Sequence, residues 1–241
     1  NKEKVAKMFD KYNFFALPVV DREKRLVGII TIDDAIDVMQ EAVDEDFEKM
    51  AAITPSEDTY FKTSVFKHAR NRILWLIILM LSSIVTGGII SQYETAFATV
   101  PILVAFIPMI MGTTGNCGSQ TSTLIIRGLS NDEILLKDYF KAVWKEFRVA
   151  IIVAIMLGFA NGLRIWIQYK DFKLALVIAL SLLGTVTLAK FLGCSLPMLA
   201  RKLKIDPALM ATPVISTISD MCSVLIFFKI ATIVMGLDVN I

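Results

Sequence analysis

From residue 72 onward the apolar side chains of this chain run in long blocks; before it they are interleaved with charge. The blocks lie near residues 72–91, 98–126, 149–169, 174–199 and 207–236, and the stretches Ile73–Ser91 and Thr95–Ile126 contain no charged residue at all. A bilayer core of about 30 Å takes roughly 20 helical residues, so each block predicts one transmembrane helix. The polar end gives shorter signals. Phe15–Asp21 reads as a buried strand, Arg22–Arg25 as a charged turn, and Leu26–Thr31 as a second strand. A helix opens at Ile32, where Asp33 and Asp34 suit the positive end of its dipole. Residues 57–68 read as an amphipathic helix entering the membrane. The expected fold is mainly α: a five-helix integral membrane domain preceded by a partial α/β cytosolic segment. Its divisions are 1–43 (cytosolic), 44–71 (acidic, connecting) and 72–241 (transmembrane).

Composition agrees with this pattern. At 55% apolar residues and a mean hydropathy of +0.62, the chain is too oily for an ordinary soluble domain. The net charge of +2 matters less than its placement, and no nucleic-acid partner is expected. Arg70 and Arg72 precede the first span. Arg127, Lys137, Lys141, Lys145 and Arg148 are expected in the loop after the second, and Arg201, Lys202 and Lys204 follow the fourth. The opposite loops hold only Gln92 and Glu94, or Lys170, Asp171 and Lys173. By the positive-inside rule the amino-terminal segment is cytoplasmic and the carboxyl terminus external, in a multi-pass protein of the cell's inner (plasma) membrane. The chain starts at Asn1 without Met or a signal-peptide pattern, and is read as beginning inside a larger protein. Cys117, Cys194 and Cys222 lie in different blocks without metal-ligand spacing, and read as small buried residues.

Two blocks break the rule that a lipid-facing helix is apolar. The second carries Gly112-Thr-Thr-Gly-Asn-Cys-Gly-Ser-Gln-Thr-Ser122. Such a span packs tightly against protein or lines water. Packing alone does not call for Asn116 and Gln120, and locally unwound backbone would free carbonyl oxygens as hard ligands. The fifth block holds Asp220. An ionised carboxylate near a bilayer centre costs at least about 2.5–3.5 kcal/mol and rarely faces lipid. Helical spacing puts Thr212, Ser216, Thr217, Asp220 and Ser223 on one face, with Pro213 on the same side and able to open a carbonyl. That pattern suits an ion pathway; the other reading is a protonated or internally paired structural acid. Lys229 lies nine residues on, roughly 13 Å along the axis and half a turn round, so it cannot pair with Asp220 on the same helix. Lys229 and Lys190 are expected to snorkel or to meet other segments.

Residues 41–58 are acidic: Glu41, Asp44, Glu45, Asp46, Glu48, Glu57 and Asp58. Such a run is either a solvated helix face or an ion-sensing patch. In the second case Asp34, Asp37, Glu41, Asp44, Asp46 and Glu48 would share hydrated Mg²⁺ with a facing surface.

Three stretches also carry a family resemblance. LPVVD followed by LVGIITIDDAIDV, within residues 17–38, resembles the second half of a CBS motif. That resemblance implies that Thr31 and Asp34 meet the ribose and phosphate of a nucleotide such as ATP. Gly112-Thr-Thr-Gly-Asn-Cys-Gly-Ser-Gln-Thr-Ser-Thr-Leu-Ile-Ile-Arg127-Gly is similar to the second-helix motif of the MgtE family of Mg²⁺ channels. Asp206-Pro-Ala-Leu-Met-Ala-Thr-Pro-Val-Ile-Ser-Thr-Ile-Ser-Asp220 is similar to its fifth-helix motif. The resemblance implies a homodimer in the lipid bilayer, with a divalent-cation pore lined by second and fifth helices. Asp220 carries over as the pore acid. Gly115, Asn116 and Gly118 carry over as the polar belt, with Thr212, Ser216 and Thr217 beside them. Ser119 stands where the family usually has a second Asn.

The expected function is a Mg²⁺-selective channel or transporter that passes a hydrated divalent cation and is gated by cytosolic Mg²⁺. A proton- or Na⁺-coupled transporter of Co²⁺ or Mn²⁺ is the alternative. A membrane-embedded enzyme using Asp220 would need a second acid, a His or a Ser/Lys dyad, and the apolar blocks offer none.

Overall fold

The computed structural model describes residues 2–56 and 58–237. Glu57 of the acidic run, Asn1 and the last four residues lie outside the described residues. The amino-terminal segment opens with helix α1 (Lys2–Tyr12). Its few apolar residues share one face, so Ala6 and Phe9 bury against Ala35, with Leu17 and Ile30 partly covered beside them. Strands β1 (Ala16–Val20) and β2 (Leu26–Thr31) pair antiparallel, from Ala16 opposite Thr31 to Val20 opposite Leu26, with an irregularity at Val19/Val20. Asp21 closes the turn, its Oδ1 accepting the amides of Glu23 and Arg25 at 2.8 and 2.9 Å. Helix α2 (Ile32–Met50) follows and runs without a break across residues 43 and 44.

No helix spans residues 58–64, contrary to the amphipathic helix expected there. They form turns, and helix α3 (Val65–Gln92) begins only at Val65. Ser64 sets that start, its Oγ accepting the Lys67 amide at 3.3 Å. A short helix α4 (Glu94–Thr99) and a 3₁₀ turn (Pro101–Phe106) lead into α5 (Ile107–Ser130). Helices α6 (Tyr139–Tyr169), α7 (Phe172–Lys202) and α8 (Thr212–Met235) complete the chain, with a 3₁₀ turn (Pro207–Met210) before α8. Among the described residues, five helical segments are long and apolar enough to cross a membrane: Val65–Gln92, Pro101–Ser130, Leu136–Tyr169, Phe172–Lys202 and Pro207–Met235.

Two local expectations need correction. Arg127, Lys141, Lys145 and Arg148 are not in a loop: Arg127 lies in the last turn of α5, and the other three lie on the first turns of α6, which starts at Tyr139. Charge does not stop a helix that leaves the bilayer for water, so hydropathy marked the edge of the membrane rather than the end of the helix. Pro213 opens no carbonyl inside α8. It sits in the first turn, where its missing N–H is harmless, and its own carbonyl accepts Thr217 Oγ1 at 2.8 Å.

The core lies among α5, α6, α7 and α8. Ile110, Ile165, Val177, Ile178, Leu182 and Phe227 are sealed from solvent there. Helix α7 is central, with half of its apolar window buried, whereas only 6% of the corresponding window of α3 is buried. Close approach of backbone requires glycine at Gly158, where a Cβ would sit 3.0 Å from the Ala179 carbonyl oxygen.

Candidate functional site

Helix α5 is wedged between α7 and α8 at its glycine belt. A Cβ on Gly118 would sit 2.7 Å from Ile215 Cγ2 on α8 and 3.3 Å from the Ala189 carbonyl oxygen on α7. A Cβ on Gly115 would meet Ser216 Oγ at 3.3 Å and Asp220 Oδ1 at 3.7 Å. The belt is fully helical from Ile107 to Ser130, so its carbonyls stay in the helical ladder and the unwound backbone expected there is not found. Gly115 and Gly118 serve close packing, and Gly112 faces open space.

The α5–α8 seam brings together Gly115, Ser119, Ser216 and Asp220. Ser119 and Ser216 hydroxyls stand 3.4 Å apart, so the residue that departs from the family pattern is engaged with the acid's own helix. Asp220 is half-buried, and among the described residues its carboxylate has no hydrogen bond or ion pair. The hydroxyl stripe divides. Ser223 is buried and donates to the Asp220 carbonyl at 2.9 Å, Thr217 turns back to Pro213, and Thr212 is exposed. Asn116 and Gln120 lie with Pro108 and Gly112 on one exposed stripe of α5, spaced four residues apart. In a single copy, then, amides occupy a face that no other segment covers.

A second polar centre lies on the opposite side of α5. Thr121 Oγ1 donates to Glu146 Oε2 at 2.8 Å and accepts from Lys190 Nζ at 3.2 Å. Lys190 Nζ stands 3.8 Å from Glu146 Oε2, with side chains only 6% and 13% exposed. The sequence reading missed this acid. Glu146 lies among basic residues assigned to a loop, and only the extended α6 carries it to the protein interior. Lys190 does meet other segments, whereas Lys229 is exposed on α8.

The acidic residues of α2 do not converge. Among the described residues no three His, Cys, Asp or Glu side chains form a group able to hold a metal ion. Glu41 pairs with Lys2 at 2.7 Å, Glu48 accepts the Ser56 amide at 2.9 Å, and Asp37 and Asp44 are exposed. Asp34 is spent locally: its Oδ2 accepts from the amide and hydroxyl of Thr31 at 2.9 and 2.8 Å. These bonds hold its carboxyl below the usual carboxylate range. Thr31 and Asp34 therefore cap α2 through bonds to each other.

The carboxyl end of α2 docks where α5 ends and α8 begins. Met50 packs against Ile126, Ala208 and Ala211, and Asp46 accepts from Ser130 Oγ at 3.4 Å. Lys49 Nζ reaches both Glu45 Oε1 and Asp206 Oδ2 at 2.6 Å. Burial opposes its charge, but the hydrogen bonds it donates to Asp206 and Glu45 outweigh that, so the ammonium is held well above its ordinary range. Asp46 is pushed up, first by burial and then by the neighbouring Asp206 charge, with Lys49 offsetting part of the shift. Asp206 was legible only as the first residue of a motif; its contact with Lys49 joins positions 157 residues apart.

Comparison with known proteins agrees with this layout. Residues 107–230 match the family model described as "MgtE: Divalent cation transporter", and residues 2–41 match a CBS domain. Three curated relatives carry the name "Magnesium transporter MgtE". The one from Bacillus subtilis (strain 168) is 38% identical over 232 residues, 96% of this chain and 51% of the relative. That of Thermus thermophilus is 34% identical over 235 residues, covering 98% and 52%, and that of Enterococcus faecalis is 32% identical over 235, covering 98% and 51%. The chain thus spans about half the length of the curated relatives it matches. With five apolar spans and a family match over the helices that carry the glycine belt and Asp220, this multi-pass membrane chain belongs to the MgtE family of divalent cation transporters.

Proposed function

We propose that the chain conducts Mg²⁺ through a pore formed by α5 and α8 of two copies, with Asp220 as its cation site. One observation carries the reading: a half-buried carboxylate without a partner among the described residues lies over Gly115, on the seam beside the exposed Asn116 and Gln120 stripe. An uncompensated acid and two amides on an uncovered membrane face would be costly against lipid. A second copy meeting that face would enclose them around water. Mg²⁺ gives up its water shell reluctantly, so facing Asp220 carboxylates would hold the hydrated ion, with Asn116, Ser216, Thr217 and the Gly115–Gly118 turn lining its path. The names of the relatives support Mg²⁺ as the substrate. The charge asymmetry supports a cytoplasmic amino terminus, with residues 1–43 as a partial CBS-like domain and 44–71 as the connecting segment.

Gating belongs to the same proposal. The end of α2 abuts α5 and the turn before α8, and there Asp46 faces the Asp206 charge. Cytosolic Mg²⁺ that relieves this repulsion would favour the docked arrangement and close the path, by binding one of two states more tightly. Of the remaining acids of the patch, the exposed Asp37 and Asp44 would act through facing surfaces, whereas Asp34, Glu41 and Glu48 are bonded within the amino-terminal half of the chain. A nucleotide such as ATP meeting Thr31 and Asp34 would have to displace the contact between them at the α2 cap.

The test is Mg²⁺ flux in proteoliposomes with Asp220→Asn, measured with and without a pH or Na⁺ gradient. Loss of flux in a normally inserted, dimeric variant is expected, as is gradient-independent flux in the parent. Wild-type flux in the variant would refute the assignment of Asp220. Dependence on a gradient would move the reading to a coupled transporter.

A further inference from the structure

We propose that Glu146 and Lys190 are positioning residues for the pore: with Thr121 they pin α5 from behind and thereby set where its amide stripe stands. The inference rests on the pore reading above and adds a role for charges that do not face the pore. The three side chains come from three helices, Thr121 on α5, Glu146 on α6 and Lys190 on α7, and meet through one hydroxyl. The Thr121 hydroxyl donates a hydrogen bond to the carboxylate while accepting one from the ammonium, so it acts as donor and acceptor at once. Such a bond has direction as well as contact, which apolar packing lacks.

The pin lies at the level of the tightest helix contacts. Gly193, one turn beyond Lys190 on α7, lies so close to Thr121 and the Gly118 carbonyl that a Cβ there would stand 3.1 Å from Thr121 Cβ and still nearer that oxygen. Gly118 in turn abuts Ile215 and Ser219 on α8, the helix of Asp220. A rotation or slide of α5 that moved Asn116 and Gln120 would therefore have to break the Thr121 bonds. Small-residue contacts permit α5 to sit close to α7 and α8; the charged pin selects one rotation among those the smooth surface would allow. A buried ion pair is weak evidence for stability, and its attested use is fixing register, which is the role assigned here.

The test separates positioning from mere stability. The double variant Glu146→Gln/Lys190→Met leaves no lone buried charge, so on a purely structural role it should behave as wild type. The expected result is normal insertion and dimerisation with Mg²⁺-over-Ca²⁺ discrimination in proteoliposome flux reduced roughly tenfold. The charge-swapped Glu146→Lys/Lys190→Glu should recover part of that loss. Thr121→Val, which keeps the volume and removes only the bridging hydroxyl, should shift discrimination in the same direction, and it decides the matter if the double variant does not insert. Wild-type discrimination in the inserted double variant, or in Thr121→Val, would overturn the proposal. Asp220→Asn run alongside tells the two failures apart. If it abolishes flux while the pin variants behave as wild type, only the positioning role falls; if it conducts normally, the pore reading falls and takes this inference with it.

Discussion

Glu146 and Asp220, two acids of the membrane domain, have opposite surroundings. Glu146 is enclosed where α5, α6 and α7 meet, paired with Lys190 and bonded to Thr121. Asp220 lies on the α5–α8 seam, half-buried and without a side-chain partner among the described residues. An ion in a low-dielectric setting is tolerated either because a fixed counter-charge stands beside it or because water and mobile ions reach it. Glu146 has the first arrangement. Asp220 has the geometry for the second, and the proposed assignment of the cation site to Asp220 rests on that contrast more than on the presence of an acid in an oily helix.

The contrast can be broken at several points. The largest effect is expected at Asp220: Asp220→Asn should cut Mg²⁺ flux by roughly two orders of magnitude, the scale of removing one partner of a close charge pair. Its thermal unfolding should be unchanged, since no partner is orphaned; a marked loss of stability would make Asp220 a structural acid. Lys190→Met should do the reverse. It strands a buried carboxylate, so chemical or thermal unfolding should show a loss of about 3–5 kcal/mol, and unaltered stability would mean that Glu146 is solvated after all.

Next in size is the glycine belt. Gly118→Ala forces a methyl group against Ile215 and the Ala189 carbonyl, an overpacking cost of about 1–3 kcal/mol. Gly112→Ala, with nothing within 4 Å of the added Cβ, should be neutral for folding, and a comparison of melting temperatures checks the pair. Smaller still is Asp46→Asn. The Asp46 carboxyl is raised in the folded protein, so docking of α2 is penalised once pH passes above the usual carboxylate range and the group must ionise. Asparagine removes that penalty, so protection of residues 41–56 from proteolysis should increase and depend less on added Mg²⁺. Unchanged, fully Mg²⁺-dependent protection would remove Asp46 from the sensor. The smallest effect is at Asp34, whose carboxyl is depressed. Its cap is intact above the usual carboxylate range and is lost as pH falls through the lower, folded value. Faster amide exchange confined to the first turn of α2 should appear only in acid.

The sequence by itself determined the class of protein, the number of spans, the two strands and the helix that follows them. These depend on hydropathy and on local periodicity, which a linear pattern records. It also singled out Asp220, because a lone acid in an apolar block is conspicuous without any fold. It missed α1, whose apolar residues are few among lysines, and it set α6 ten residues short because charge was taken for the end of a helix. Only the tertiary structure decided what each polar residue is for. Thr31 and Asp34 turned out to cap a helix, the belt glycines to admit neighbouring helices, and Glu146, 44 residues before Lys190 in the numbering, to form a buried pair. Compensation of a charge is a property of what surrounds it in space, and neighbours drawn from three different helices leave no periodic trace along the chain.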